Sequence, residues 1–129
     1  MTETEIRDFL ENAIAENQVM LFMKGTPNEP ACGFSARTAG ALNALGVKYA
    51  ALDILPDARI REQLSELSGW PTIPQLFVDG ELVGGCDIVT EMYETGELAE
   101  KLGVEQPDDE EPAAEVAPSP KIQLENRLD

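Results

Sequence analysis

The sequence predicts an α/β fold with a four-stranded mixed sheet flanked by helices. Three observations lead there. Apolar spacings of helical period alternate with short apolar runs, the order is helix, strand, helix, strand, helix, hairpin, helix, and Asp79-Gly80 separates the last two extended runs.

Ile6, Phe9, Leu10, Ala13 and Ile14 recur at i, i+3, i+4, i+7 and i+8 and define the inward face of a first helix. The run "VMLFM", Val19 to Met23, is apolar throughout, as a strand covered on both faces must be. A second helix is expected from about Gly33 to Leu45, stopping at Gly46. "KYAALDI", Lys48 to Ile54, reads as the second strand. In "PDARIREQLSELSG", Asp57 starts a third helix, Ile60, Leu64 and Leu67 face inward, and Gly69 ends it. Asp79-Gly80 is the signal of a type I′ hairpin. From Asp87 to Leu102, the spacing of Ile88, Met92, Leu98 and Leu102 predicts helix again, broken near Gly96. A right-handed crossover makes the first two strands parallel, and the hairpin adds antiparallel ones. This order is the thioredoxin-like arrangement.

Bulk composition narrows the chemistry. The chain has 129 residues, 43% of them hydrophobic, enough for one ordinary core and a remainder. A net charge of −16 opposes capture of nucleic acid or an anionic membrane. The absence of histidine removes Ser-His-Asp and Cys-His mechanisms. Cys32 and Cys86 are too few to staple the fold, so their value is chemical. No apolar run approaches the roughly 20 residues of a membrane span, and "MTETEIRDFL" begins acidic, so a cytoplasmic chain is expected.

Composition shifts after Val104. Of the chain's 25 acidic and 9 basic residues, 8 and 2 lie in 105–129, which also holds four prolines and no aromatic residue. Residues 1–104 are therefore expected to fold, with net charge −10, and 105–129 to form a disordered acidic tail with net charge −6.

The chemistry concentrates in "KGTPNEPACGFS", Lys24 to Ser35, which falls at the loop between the first strand and the second helix. A thiol at a helix N-terminus meets unpaired amides and the positive end of the helix dipole, which favour the Cys32 thiolate. Lys24 adds a cation. Ser35 stands where a redox pair would have its second cysteine, so a mixed disulfide at Cys32 has no neighbour to resolve it. Lone cysteines are usually buried small hydrophobes, but a helix start after a proline-rich loop argues for exposure.

Together, "KGTPNEPACGFS", "WPTIPQLFVDGELVGGCDI" and "EMYETGEL" resemble the CGFS-type monothiol glutaredoxins, nearest to their single-domain bacterial members, over residues 5 to 103. The resemblance implies glutathione binding. Lys24 and Arg61 would take its glycine carboxylate, and Ile73, before a cis Pro74, would pair with its extended cysteine unit. The amides of Cys86 and Asp87 would hold the γ-glutamyl carboxylate, with the Asp87 side chain on the ammonium. It also implies a 2Fe-2S cluster bridging a homodimer, each subunit supplying Cys32 and one glutathione. The function so implied is an iron-sulfur cluster carrier or scaffold, with apoprotein acceptors and BolA-like proteins as partners. The alternative is a glutathione-dependent oxidoreductase, weak at most.

Other readings of single residues stay open. The Cys86 thiol can be packed, can form a disulfide with Cys32 on oxidation, or can stand aside while its backbone acts; the last is preferred. Phe34 and Trp70 are read as local packing, with Trp70 at the pocket rim. Asp53 and Asp79 are assigned to solvation and turn chemistry.

Overall fold

The computed structural model describes residues 2–104; the expected tail lies outside the described residues. The elements are α1 (Glu3–Glu16), β1 (Val19–Met23), α2 (Gly33–Ala44), β2 (Ala50–Asp53), α3 (Ala58–Ser68), β3 (Gln75–Val78), β4 (Glu81–Gly84), α4 (Cys86–Thr95) and α5 (Glu97–Leu102). The sheet order is β2-β1-β3-β4, with β1 parallel to β2 and antiparallel to β3. This is the thioredoxin-like fold the element order predicts.

β1 shows why the sheet is covered on both faces. All five of its residues are buried, and successive side chains point to opposite sides. Val19, Leu21 and Met23 enter one core cluster with Leu42 of α2 and Val89 of α4. Met20 and Phe22 enter the other, with Ile6 and Leu10 of α1 and Leu64 of α3. Phe22 and Phe77 meet edge to face across the β1–β3 pair, with centroids 5.7 Å apart. Among the described residues, no helix is long and apolar enough to cross a membrane.

Local signals set most boundaries. Thr2 and Glu5 form a capping box at the start of α1. Asp57 caps α3, and Gly69 ends it in the left-handed region at φ 72°. Asp79 and Gly80 have φ of 53° and 82°, the paired positive values of a type I′ turn.

Three expectations are corrected. β2 pairs only over Ala50–Asp53, because it is an edge strand whose ladder with β1 runs from Met20 to Met23. Phe9 is 46% exposed: it lies at the margin of the α1 stripe, beyond the face that Ile6 and Leu10 bury. On α4, Val89 and Tyr93 are buried, while Ile88 and Met92 are only half-buried. The inward stripe is rotated by one residue because Ile88 packs instead over Gly84.

The loop from β1 to α2 closes on itself. Ala31 N donates to Lys24 O at 2.9 Å, and the amides and carbonyls of Thr26 and Glu29 bond reciprocally. Gly25, at φ 85°, allows this turn; a Cβ there would sit 2.5 Å from Glu29 O and 2.6 Å from Ala31 N. Gly25→Ala is therefore expected to cost roughly 1–3 kcal/mol through strain and displacement of the loop. Denaturant unfolding of the variant checks this; an unchanged midpoint would mean that the loop yields at no cost.

Candidate functional site

Cys32 is the N-cap of α2, in extended conformation, with Gly33 as the first helical residue. Its sulfur accepts a hydrogen bond from Ser35 N, and its S–H donates to Ser35 Oγ, each at 3.4 Å. Ser35 is fully buried, and its Oγ in turn accepts from Lys24 N at 3.0 Å. The serine thus couples the end of β1 to the thiol. Burial pushes the Cys32 thiol up, but the Ser35 hydroxyl and amide, the Phe34 amide and the Lys24 cation outweigh it, and the net shift is downward. Lowering favours the thiolate over the thiol form relative to an ordinary cysteine.

Ser35 was legible in the sequence only as the place of a missing cysteine. Its positive role gives a direct expectation: Ser35→Ala removes the hydroxyl bond to sulfur and raises the Cys32 pKa. Ultraviolet titration of the thiolate checks this, and an unmoved midpoint would assign the lowering to the amides and Lys24 alone.

Asp53 also does more than solvate its turn. Its Oδ1 accepts from Leu55 N and from Gly25 N, both at 2.9 Å, so the end of β2 holds the loop that follows Lys24.

A groove of about 220 Å³ is built from three segments; its lining reaches Phe34, two residues after Cys32, and does not include Cys32 itself. Phe34 comes from the first turn of α2, Trp70, Thr72, Ile73 and Pro74 from the loop before β3, and Gly85 to Ile88 from the start of α4. The Ile73-Pro74 bond is cis, as the resemblance implies. Gly85 permits close approach, since a Cβ there would lie 3.1 Å from Trp70 Nε1 and 3.2 Å from Pro74 O and would make a neighbour give way by a few tenths of an ångström. Having no side chain, Gly85 also gives α4 no side-chain cap, so no such acceptor covers the first-turn amides of Cys86 and Asp87.

The structure therefore brings Ile73, Cys86 and Asp87 into one groove, which Phe34 of the turn after Cys32 also lines. Lys24 lies close enough to act on the thiol but does not line the groove. Arg61 is exposed on α3, and its Nη2 donates to Pro71 O at 3.3 Å, on the outside of the loop whose other residues line the wall. Cys86 is buried, with Sγ 3.9 Å from Thr90 Oγ1, and both cysteines are free thiols. Trp70 lines the groove, in keeping with its expected place at the rim, and Phe34 proves to be a groove residue rather than local packing alone; Phe34 is 54% exposed, with the Arg37 guanidinium 5.5 Å from its ring centroid. Thr72, which sequence reasoning passed over, lines the groove as well. Among the described residues, no three His, Cys, Asp or Glu side chains converge on one point.

Comparison with known proteins fits this site. The glutaredoxin family pattern matches residues 19–83, which hold the Cys32 turn, the cis-proline loop and the hairpin. A probable monothiol glutaredoxin 2 of Rickettsia typhi is 52% identical over 102 residues, covering 79% of this chain and 92% of the relative. Glutaredoxin 4 of Escherichia coli K12 is 52% identical over 108 residues, covering 78% and 94%. The solution structure of reduced poplar apo GrxS14 superposes with a TM-score of 0.70 at 41% identity, over 80% of this chain and 95% of that one. The chain therefore belongs to the glutaredoxin family, as a monothiol glutaredoxin.

Proposed function

We propose that the chain binds glutathione in this groove and, as a homodimer, holds a 2Fe-2S cluster that it carries to apoprotein acceptors. The observation that carries this reading is the Cys32 thiol, capping α2 with a serine rather than a second thiol for its nearest partner. Such a thiolate has no second thiol in its own turn with which to close a disulfide, and it is suited to stay as a ligand. A cluster of this type is commonly held by four thiolates. Each chain would offer Cys32 and its glutathione sulfur, so two chains complete the set. Gly33, with no side chain and open space where a Cβ would be, supports close approach of cargo and partner.

Glutathione is held in this reading by its three polar ends. Lys24 and Arg61 take the glycine carboxylate, and the Ile73 backbone pairs with the cysteine unit. The amides of Cys86 and Asp87 take the γ-glutamyl carboxylate, with the Asp87 carboxylate on the ammonium. The first turn of α4, which has no side-chain cap, and the Arg61 guanidinium on the loop that lines the groove support these assignments. The functional unit is 1–104, and residues 105–129 take no part. A cytoplasmic location and BolA-like partners complete the proposal. The lowered Cys32 pKa also favours a second reading, a weak glutathione-dependent reductase of mixed disulfides.

Anaerobic reconstitution with iron and sulfide, with and without glutathione, tests the ligand set. Cluster absorbance is expected only with glutathione; full colour without any added low-molecular-weight thiol would contradict it.

A further inference from the structure

Gln75 opens β3, pairs with Phe22 in the ladder to β1, and is fully buried. Its Nε2 donates to Trp70 O at 2.9 Å and to Thr72 O at 3.1 Å. Both acceptors belong to the loop that forms one wall of the groove. Besides these bonds, Trp70 N donates to Ser68 Oγ at 3.0 Å, and Ile73 is buried in the core cluster of α1 and α3. Pro71 and Pro74 bring no amide proton, and among the described residues Trp70, Pro71 and Thr72 make no backbone-to-backbone hydrogen bond. The Arg61 guanidinium meets the same loop only from outside, at Pro71 O.

Placing an amide at this point has a cost. Gln75 Oε1 is buried and finds no hydrogen-bond partner among the described residues. A methionine of similar length would bury no such acceptor, so stability alone does not call for glutamine here. The two donated protons are what a methionine lacks, and both go to the wall of the groove.

We propose that Gln75 is a positioning residue, a latch that ties the 70–74 loop to the central sheet and so sets where Trp70, Thr72 and the Ile73 backbone face the groove. Without it, the carbonyls of Trp70 and Thr72 turn toward water to find donors, and the wall moves with them. The consequence for glutathione rests on the binding reading given above; the latch itself does not.

Trp70 is the chain's single tryptophan, and it sits on the latched loop, so its emission reports the wall directly. The test compares the full chain with Gln75→Met, which removes both donors, and Gln75→Glu, which keeps the shape and offers at most one proton. Thermal unfolding and far-ultraviolet dichroism establish that the variants are folded; should Gln75→Met fail to fold, Gln75→Glu carries the test. Without ligand, emission is expected to shift to the red and acrylamide quenching to rise, more in Gln75→Met than in Gln75→Glu. Glutathione affinity, followed by calorimetry, is expected to fall roughly tenfold in Gln75→Met, while the Cys32 titration stays in place.

Wild-type emission and quenching in the folded variants would overturn the latch. A moved tryptophan with unchanged glutathione affinity would overturn the positioning role. If the parent chain itself shows no saturable glutathione binding, the binding reading falls, and the ligand-free fluorescence still decides the latch.

Discussion

Cys32→Ser is expected to abolish cluster binding altogether. Serine preserves the N-cap, since its hydroxyl is a good acceptor for the Ser35 amide, so the helix start and groove survive. Its hydroxyl stays protonated near neutral pH and is a poor ligand for iron in such a cluster, which thiolates hold. Cys86→Ser is expected to keep most of the cluster. Cys86 is buried, its sulfur faces Thr90 at 3.9 Å, and the role proposed for it belongs to its backbone. Visible absorbance per chain after identical reconstitution separates the two variants. Equal loss in both would make Cys86 a ligand and overturn the glutathione model.

The two cations near the site are expected to fail differently. If both hold the glycine carboxylate of glutathione, removing either deletes a charge-assisted hydrogen bond, on the order of 1.5–3 kcal/mol, and affinity falls roughly ten- to a hundredfold. Lys24 has a second task, because its charge lowers the Cys32 pKa through space. Lys24→Ala therefore raises the thiol pKa, and the stretch of pH in which the thiolate predominates begins higher. Arg61 is exposed and bonded to Pro71 O, and it is not among the main groups that shift Cys32, so Arg61→Ala is expected to move the titration less than Lys24→Ala. Excess glutathione should restore cluster lifetime in Arg61→Ala more fully than in Lys24→Ala. Wild-type lifetime in both variants at limiting glutathione would show that these are ordinary surface charges.

Much of the fold was legible because its signals are local. "VMLFM" is buried on both faces, Asp57 and Gly69 bracket α3, and Asp79-Gly80 takes the paired positive φ values of its turn. Where expectation failed, the deciding contact was tertiary. Lys48 and Tyr49 lie outside the β2 ladder because an edge strand extends only as far as its neighbour pairs with it. Phe9 continues the helical period but lies past the buried face, and Ile88 is drawn onto Gly84 while Val89 and Tyr93 fill the core.

The site divides the same way. Cys32 at a helix start followed from the element order, and the amides at Cys86 and Asp87 from "GGCD", but the groove joins Phe34, Trp70, residues 72–74 and residues 85–88, which no spacing rule brings together. The resemblance named Ile73, Cys86 and Asp87; that all three line one groove is a structural fact. Ser35, Asp53 and Gln75 escaped because each acts on backbone that only the fold puts within reach, at Lys24, Gly25 and Trp70 respectively. Short polar residues beside a functional loop carry no sequence sign of which carbonyl or amide they serve.

The central claim is that one chain supplies half of a ligand set and glutathione supplies the rest. Native mass measurement of the anaerobically reconstituted protein tests it most directly. The account predicts a dimer with about one 2Fe-2S cluster per two chains and one glutathione per chain, with the metal-free protein mainly monomeric. A cluster-bearing species that contains no glutathione, or a cluster held by a single chain, would contradict it.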